Sequence, residues 1–275
     1  MAPLLPFMKV HTLFFGLYSW DVLTSLRLEW DLITRQRRFT LPMLFYLLNK
    51  YSFLGALIGG QIRLNGPDGV NCTAEYRASV FLGNISLGLS SINLAIRTVA
   101  IWGGNKTLVV VLGVLTVTHI GITIARSSIF FHAPQRFLSV FSDVHSLHAE
   151  YIPGRGCSPP VFSHSITNAI LIYALCFDAL VCGLNLYKLR LHARALLHPS
   201  KQTFLHITQL VLVQGLVYFV IAFFLNLSTI LVLASNVKTT TFTTYIVVVE
   251  GLIAIVACRA VRSLANTLHT GTEVQ

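Results

Sequence analysis

Charge is what this sequence has least of. Lys, Arg, Asp and Glu make up 11% of its 275 residues, where a soluble globular domain carries about 25%. Acids are the scarcer kind, ten against twenty Lys and Arg, so the net charge is +10. In a soluble chain that imbalance would suggest a nucleic-acid partner. Here the basic residues stand between apolar runs and form no stripe interleaved with aromatics, which excludes nucleic-acid binding. The chain also lacks internal repeats, low-complexity tracts and long linkers, so a single domain, 1–275, is expected. Its opening stretch has one lysine, Lys9, and no small-x-small cleavage site, which predicts an uncleaved first span rather than a signal peptide.

Hydrophobicity is what the chain has in quantity: 54% of residues are hydrophobic, with a mean hydropathy of +0.70. So much apolar surface cannot be hidden in one water-soluble core, and an all-α integral membrane protein is predicted. A window of about 19 residues finds seven apolar segments, at about 10–30, 41–62, 79–102, 107–131, 162–187, 204–234 and 241–262, followed by a short cytoplasmic tail, 263–275. The first is the weakest, because Asp21 interrupts it and RLEWDLITRQRR follows. The sixth is longer than a straight span needs and should tilt.

Orientation follows from Lys and Arg, which concentrate on cytoplasmic loops. With the N-terminus outside, twelve fall on inner segments and seven on outer ones, Lys50 lying within a span. An N-out, C-in bundle of seven transmembrane helices is therefore expected, in the plasma membrane, with an endomembrane as the alternative. In this arrangement Cys72 and Cys157 both occupy outer loops, where an oxidising compartment permits a disulfide between them. Cys176, Cys182 and Cys258 fall in spans. Asn71, in Asn71-Cys72-Thr73, is the candidate N-glycosylation site on the outer side.

Seven helices, an outer N-terminus, a cysteine before the third span and another in the second outer loop resemble the layout of G-protein-coupled receptors. The detailed residues are similar to a different group. YSWDVLTSLRLEWDLITRQRRFTLPMLFYLLNKY, residues 18–51, resembles the N-terminal signature of a family of multi-pass membrane proteins from basidiomycete fungi, a domain of unknown function. That signature runs Tyr-Asp-x-Leu-Leu-Thr-Leu, then acidic residues and a basic-aromatic turn, then Phe-Leu-Leu-Asn-Arg-Tyr. Asp21, Glu29 and Asp31 match its acidic positions, and Lys50 stands for its last arginine. NLAIRTVAIWGGNK resembles the family's Arg-x-Tyr-Ala-Leu-Tyr-Gly-Arg pattern with Arg97 in the arginine position, and CRAVRSLANTL is loosely similar to its closing segment. The departures are a short N-terminus and Thr34 and Phe39 where the first turn has tryptophan. The resemblance implies a helical membrane fold and names no chemistry.

Lys50 is the sharpest anomaly within a span. An ammonium at the bilayer centre costs about 3 kcal/mol on insertion scales unless something compensates it. Nine residues into the second span, Lys50 is about 13 Å deep at 1.5 Å per residue, near the midplane of a core about 30 Å thick. Asp21 reaches a similar depth on the neighbouring first span, and Glu250 on the seventh. An intramembrane polar cluster of Asp21, Lys50 and Glu250 is expected, with Asp21 as partner of Lys50 and one surplus negative charge if all three ionise. Asp178, Asn84, Asn93, His119 and Asn226 are further polar residues in spans, each explicable by interhelical hydrogen bonding. In the second outer loop Asp143, His145, His148 and Glu150 have metal-compatible spacing, but a solvated loop face is the simpler reading. No metal, cofactor or catalytic constellation is read from the sequence.

Three functions fit these features unequally. A receptor or sensor is expected first, binding a small ligand in the bundle and meeting a cytoplasmic signalling partner through Arg97, Lys188, Arg190 and Arg194. A proton- or ion-coupled transporter working through the charged cluster is the alternative, although no inverted repeat supports it. An enzyme is not expected, because the ten histidines are scattered. No acid precedes Arg97, the seventh span lacks Asn-Pro-x-x-Tyr, and it has no lysine for a retinal Schiff base. G-protein coupling and retinal binding therefore have no motif behind them.

Overall fold

The computed structural model describes residues 4–34, 40–65, 71–131, 151–152, 156–157, 164–195, 202–235, 237 and 239–273. Eight helices fall in these stretches: α1 (Leu4–Thr24), α2 (Leu26–Ile33), α3 (Leu41–Asn65), α4 (Cys72–Ile101), α5 (Lys106–Phe131), α6 (His164–Ala195), α7 (Gln202–Ala234) and α8 (Thr239–Glu273). Two residue pairs, β1 (Tyr151–Ile152) and β2 (Gly156–Cys157), form an antiparallel ladder. Six helices, α3 to α8, are long and apolar enough to cross a membrane. With Val110, Val114, Val117, Phe224 and Leu231 exposed on them, outward faces that no soluble protein would present, the chain is an all-α membrane protein in contact with lipid.

The helices follow the apolar runs, and their ends follow local chemistry. α4 begins two turns before its apolar run because the Asn71 side chain caps it, Oδ1 accepting from the Ala74 amide at 3.1 Å. It ends where Gly103 and Gly104 take φ of +65° and +72°, a backbone that only glycine adopts cheaply. Gly103 N–H then donates to Ala100 O at 3.1 Å and Gly104 N–H to Val99 O at 3.0 Å, closing the helix as a Schellman motif. Asn105 Oδ1 accepts from the Thr107 amide to start α5. α8 runs on to Glu273, so the residues expected as a tail continue the last helix.

The first span departs most from expectation. In place of one helix over 10–30, α1 ends at Thr24 and, after Ser25, α2 begins at Leu26. Ser25 Oγ donates to the carbonyls of Asp21 and Val22, both at 2.9 Å, and Thr24 Oγ1 to Asp21 at 3.0 Å. Hydroxyls bonding back to the preceding turn bend a helix and loosen its ladder.

α4 is the central helix, touching α3, α5, α6, α7 and α8, while α1 and α8 close against α3. One apolar cluster joins Leu94, Leu112, Phe177, Val181 and Phe219 from α4 to α7. A second joins Phe14, Tyr18, Phe53, Leu57 and Ala254 from α1, α3 and α8. Gly251 is required there, because a Cβ on it would overlap the Phe14 ring and lie 2.7 Å from Phe53.

Candidate functional site

Buried charge concentrates at one end of the bundle, where α3 begins and α4 ends. Lys50 is only 3% exposed, and its partner is Glu29 on α2, with which it forms an ion pair. Nζ also donates to the Val22 carbonyl at 3.2 Å, a group in the turn where the ladder breaks at Ser25. Tyr51 Oη donates to the other Glu29 oxygen at 2.5 Å. The rings of Tyr46 and Tyr51 lie 5.9 and 5.4 Å from the ammonium, close enough for cation–π attraction. Tyr18 Oη donates to the Lys50 carbonyl at 3.0 Å, tying α1 to α3 at the same level.

The expected Asp21–Lys50 pair is thus replaced. Asp21 is held instead by α8: Arg259 Nε and Nη2 donate to Oδ1 at 3.2 and 2.9 Å, and Arg262 Nη2 to both oxygens at 3.3 Å. The reason is side-chain direction. A helical side chain leans toward the N-terminus of its own helix, so the Lys50 ammonium drops from its backbone level toward α2, where the bend at Ser25 turns Glu29 inward. The same lean carries Arg259 and Arg262 back up α8 toward Asp21.

Glu250 is not drawn into this group. It sits nine residues earlier on α8, on the side facing α4, where a Cβ on Gly83 would be 3.7 Å from its carboxylate. The expected surplus of negative charge does not arise, since Asp21 and Glu29 are matched by Lys50, Arg259 and Arg262.

A second set of contacts converges on residues 258–262 of α8. Arg97, 1% exposed, donates from Nη1 to the Ala260 carbonyl at 2.5 Å, and its guanidinium lies 5.5 Å from the Tyr218 ring of α7. Asn49, fully buried, accepts from Ser86 Oγ at 2.7 Å and donates to Ser90 Oγ at 3.0 Å and Cys258 Sγ at 3.8 Å. One and a half turns of α8 are thereby gripped by α1 through Asp21, by α3 through Asn49 and by α4 through Arg97. Sequence reasoning missed Glu29 and Asn49 as members, and counted Arg259 and Arg262 only as topology signals. The available signal was the spacing of Arg259 and Arg262, which places both on one helix face.

The remaining candidates are dispersed. Asn226 on α7 donates to Asp178 on α6 at 2.5 Å, and His119 Nδ1 on α5 is 3.1 Å from Ser91 Oγ on α4. Asn84 and Asn93 are buried on α4. Lys188 lies 5.0 Å from the Trp102 ring centroid, with Arg190 and Arg194 exposed beyond it on α6; none of the three joins Arg97 inside the bundle. At the opposite end Cys72 and Cys157 form a disulfide with Cα atoms 5.5 Å apart, holding β2 where it packs on α3. Asn71 is exposed beside it. Asp143, His145, His148 and Glu150 lie outside the described residues.

Comparison with protein-family models, curated proteins and solved structures finds no match to this chain.

Proposed function

We propose that the chain is a seven-span receptor or sensor with its N-terminus outside, in which α1 supplies the seventh span and the charged end faces the cytosol. The observation that carries this reading is Arg97. It ends the central helix, is buried, and holds α8 through the Ala260 carbonyl and α7 through the Tyr218 ring. A ligand that shifts α4 against α7 and α8 has to remake these contacts, at the face a cytosolic partner can read. The resemblance to the fungal family is compatible with this role and adds no chemistry to it.

Against the carrier alternative stands the separation of its three residues. Lys50 and Asp21 are engaged by different partners, and Glu250 faces α4. The test combines flux and partner capture. In sealed liposomes the purified protein should pass no more protons or alkali cations than protein-free controls. Cross-linking in native membranes should recover an identified signalling subunit with the wild type, and less of it with Arg97→Gln. Flux that Lys50→Leu or Glu250→Gln abolishes would overturn the receptor reading.

A further inference from the structure

Lys50, Arg259 and Arg262 have protein carboxylates; among the described residues Lys188, Arg190 and Arg194 on α6 have no ion pair with one. The sequence holds no acid between Glu75 and the end of α5, nor between Asp178 and the end of α7. Within this acid-free region Lys188 lies over the Trp102 ring at 5.0 Å, and Trp102 stacks on Tyr187 with centroids 6.3 Å apart and planes 15° from parallel. The two-glycine turn follows directly on Trp102. Tyr187, Arg190, Leu191 and Arg194 recur at i, i+3, i+4 and i+7, so they share one face of α6, and all four are exposed. Leu186 adds an exposed apolar side chain at the same level. Among the described residues the Lys188 ammonium has an aromatic neighbour and no hydrogen-bond acceptor.

Trp and Tyr at a helix end mark the level of lipid headgroups, and long basic side chains there extend their charge toward the phosphate layer. An aromatic pair that fixes one lysine, two arginines on the adjoining helix face and exposed leucines beside and between these cations together complement one kind of molecule. We propose that this face binds the anionic headgroup of a phospholipid, its phosphate on Lys188, Arg190 and Arg194 and its acyl chains along Leu186 and Leu191. A lipid is favoured over a soluble acidic partner because the cations are continuous with exposed apolar helix. The site depends on the membrane assignment, and on neither the receptor reading nor which face is cytosolic.

The chain has three tryptophans, Trp20, Trp30 and Trp102, so a Trp20→Phe/Trp30→Phe background makes Trp102 the sole indole fluorophore. The full chain in that background is reconstituted in phosphatidylcholine with brominated phosphatidylserine or brominated phosphatidylcholine as quencher. Trp102 should be quenched more strongly by the serine lipid at equal mole fraction. Each cation removed should lower that preference about fivefold, so that Lys188→Ala/Arg190→Ala/Arg194→Ala brings the two lipids to parity. Added salt should erode the preference in the parent protein, a readout that does not depend on the variants folding. Equal quenching by the two lipids, or a preference that neither salt nor the triple variant changes, overturns the proposal. Relief of quenching by excess glycerophosphoserine or by an acidic peptide overturns it in favour of a soluble ligand.

Discussion

Lys50→Leu should be among the most damaging substitutions in the chain, and the damage should be conditional on Glu29. Both side chains are buried, Lys50 at 3% exposure and Glu29 at 8%, so solvent does little to screen the pair. Removing one member of a buried ion pair costs about 3–5 kcal/mol, because the other is stranded. Among the described residues Glu29 would then keep only the Tyr51 hydroxyl. Replacing both members with apolar residues removes the stranded charge, so Lys50→Leu/Glu29→Leu should regain most of the loss. The assay is reversible chemical unfolding in mixed micelles, run as a double-mutant cycle. A coupling energy of about 2–3 kcal/mol, at the upper end for contacting residues, is expected between Lys50 and Glu29. Between Lys50 and Asp21, tested with Asp21→Asn, it should stay within about 0.5 kcal/mol, as for sites with no shared partner. Additive effects at positions 50 and 29, or coupling that runs to Asp21 instead, would refute the pairing and the side-chain lean that explains it.

Other substitutions probe the rest of the frame. Arg97→Met should cost about 1.5–3 kcal/mol, the value of a hydrogen bond to a charged group, in the same unfolding assay, and Arg97→Lys should not restore it, because a lysine lacks the planar fork that meets Ala260 and Tyr218 together. Gly251→Ala should destabilise by about 1–3 kcal/mol through overpacking against Phe14 and Phe53; wild-type stability would show that the three helices do not meet there. Non-reducing mass spectrometry should find Cys72 linked to Cys157 and leave Cys176, Cys182 and Cys258 free. Of these, Cys258, at 3% exposure, should resist a lipid-soluble maleimide longest, and early labelling of it would contradict the packing of α8 against Tyr46 and Asn49.

The helices were legible wherever hydropathy alone decides them. α3, α5 and α7 begin within about two residues of the apolar runs that predict them, since in lipid an apolar run has to satisfy its own backbone. Two departures, the early start of α4 and the break in the first helix, have polar causes that a hydropathy window averages away. Asn71 starts α4 early by capping it, and the hydroxyls of Thr24 and Ser25 break the first helix. The site was legible in its membership more than in its pairing. Depth along the helix made Asp21 and Lys50 equivalent, and Glu29 looked like part of an inner loop. Which carboxylate meets the lysine depends on the bend at Ser25 and on which way each long side chain leans. Neither is encoded in residue spacing.

Seven spans with an outside N-terminus is the claim on which the receptor reading stands, and parity tests it. Six of the helices meet the length and hydropathy that a span requires, and α1 is proposed as the seventh. An odd number of spans puts the two termini on opposite faces of the membrane, and an even number puts them on the same face. Epitope tags at the two ends, probed by protease in sealed right-side-out vesicles, read this directly. The N-terminal tag should be cleaved from outside, while the C-terminal tag should survive until the vesicles are permeabilised. Both tags protected, or both cleaved, would make α1 a surface helix and contradict the account.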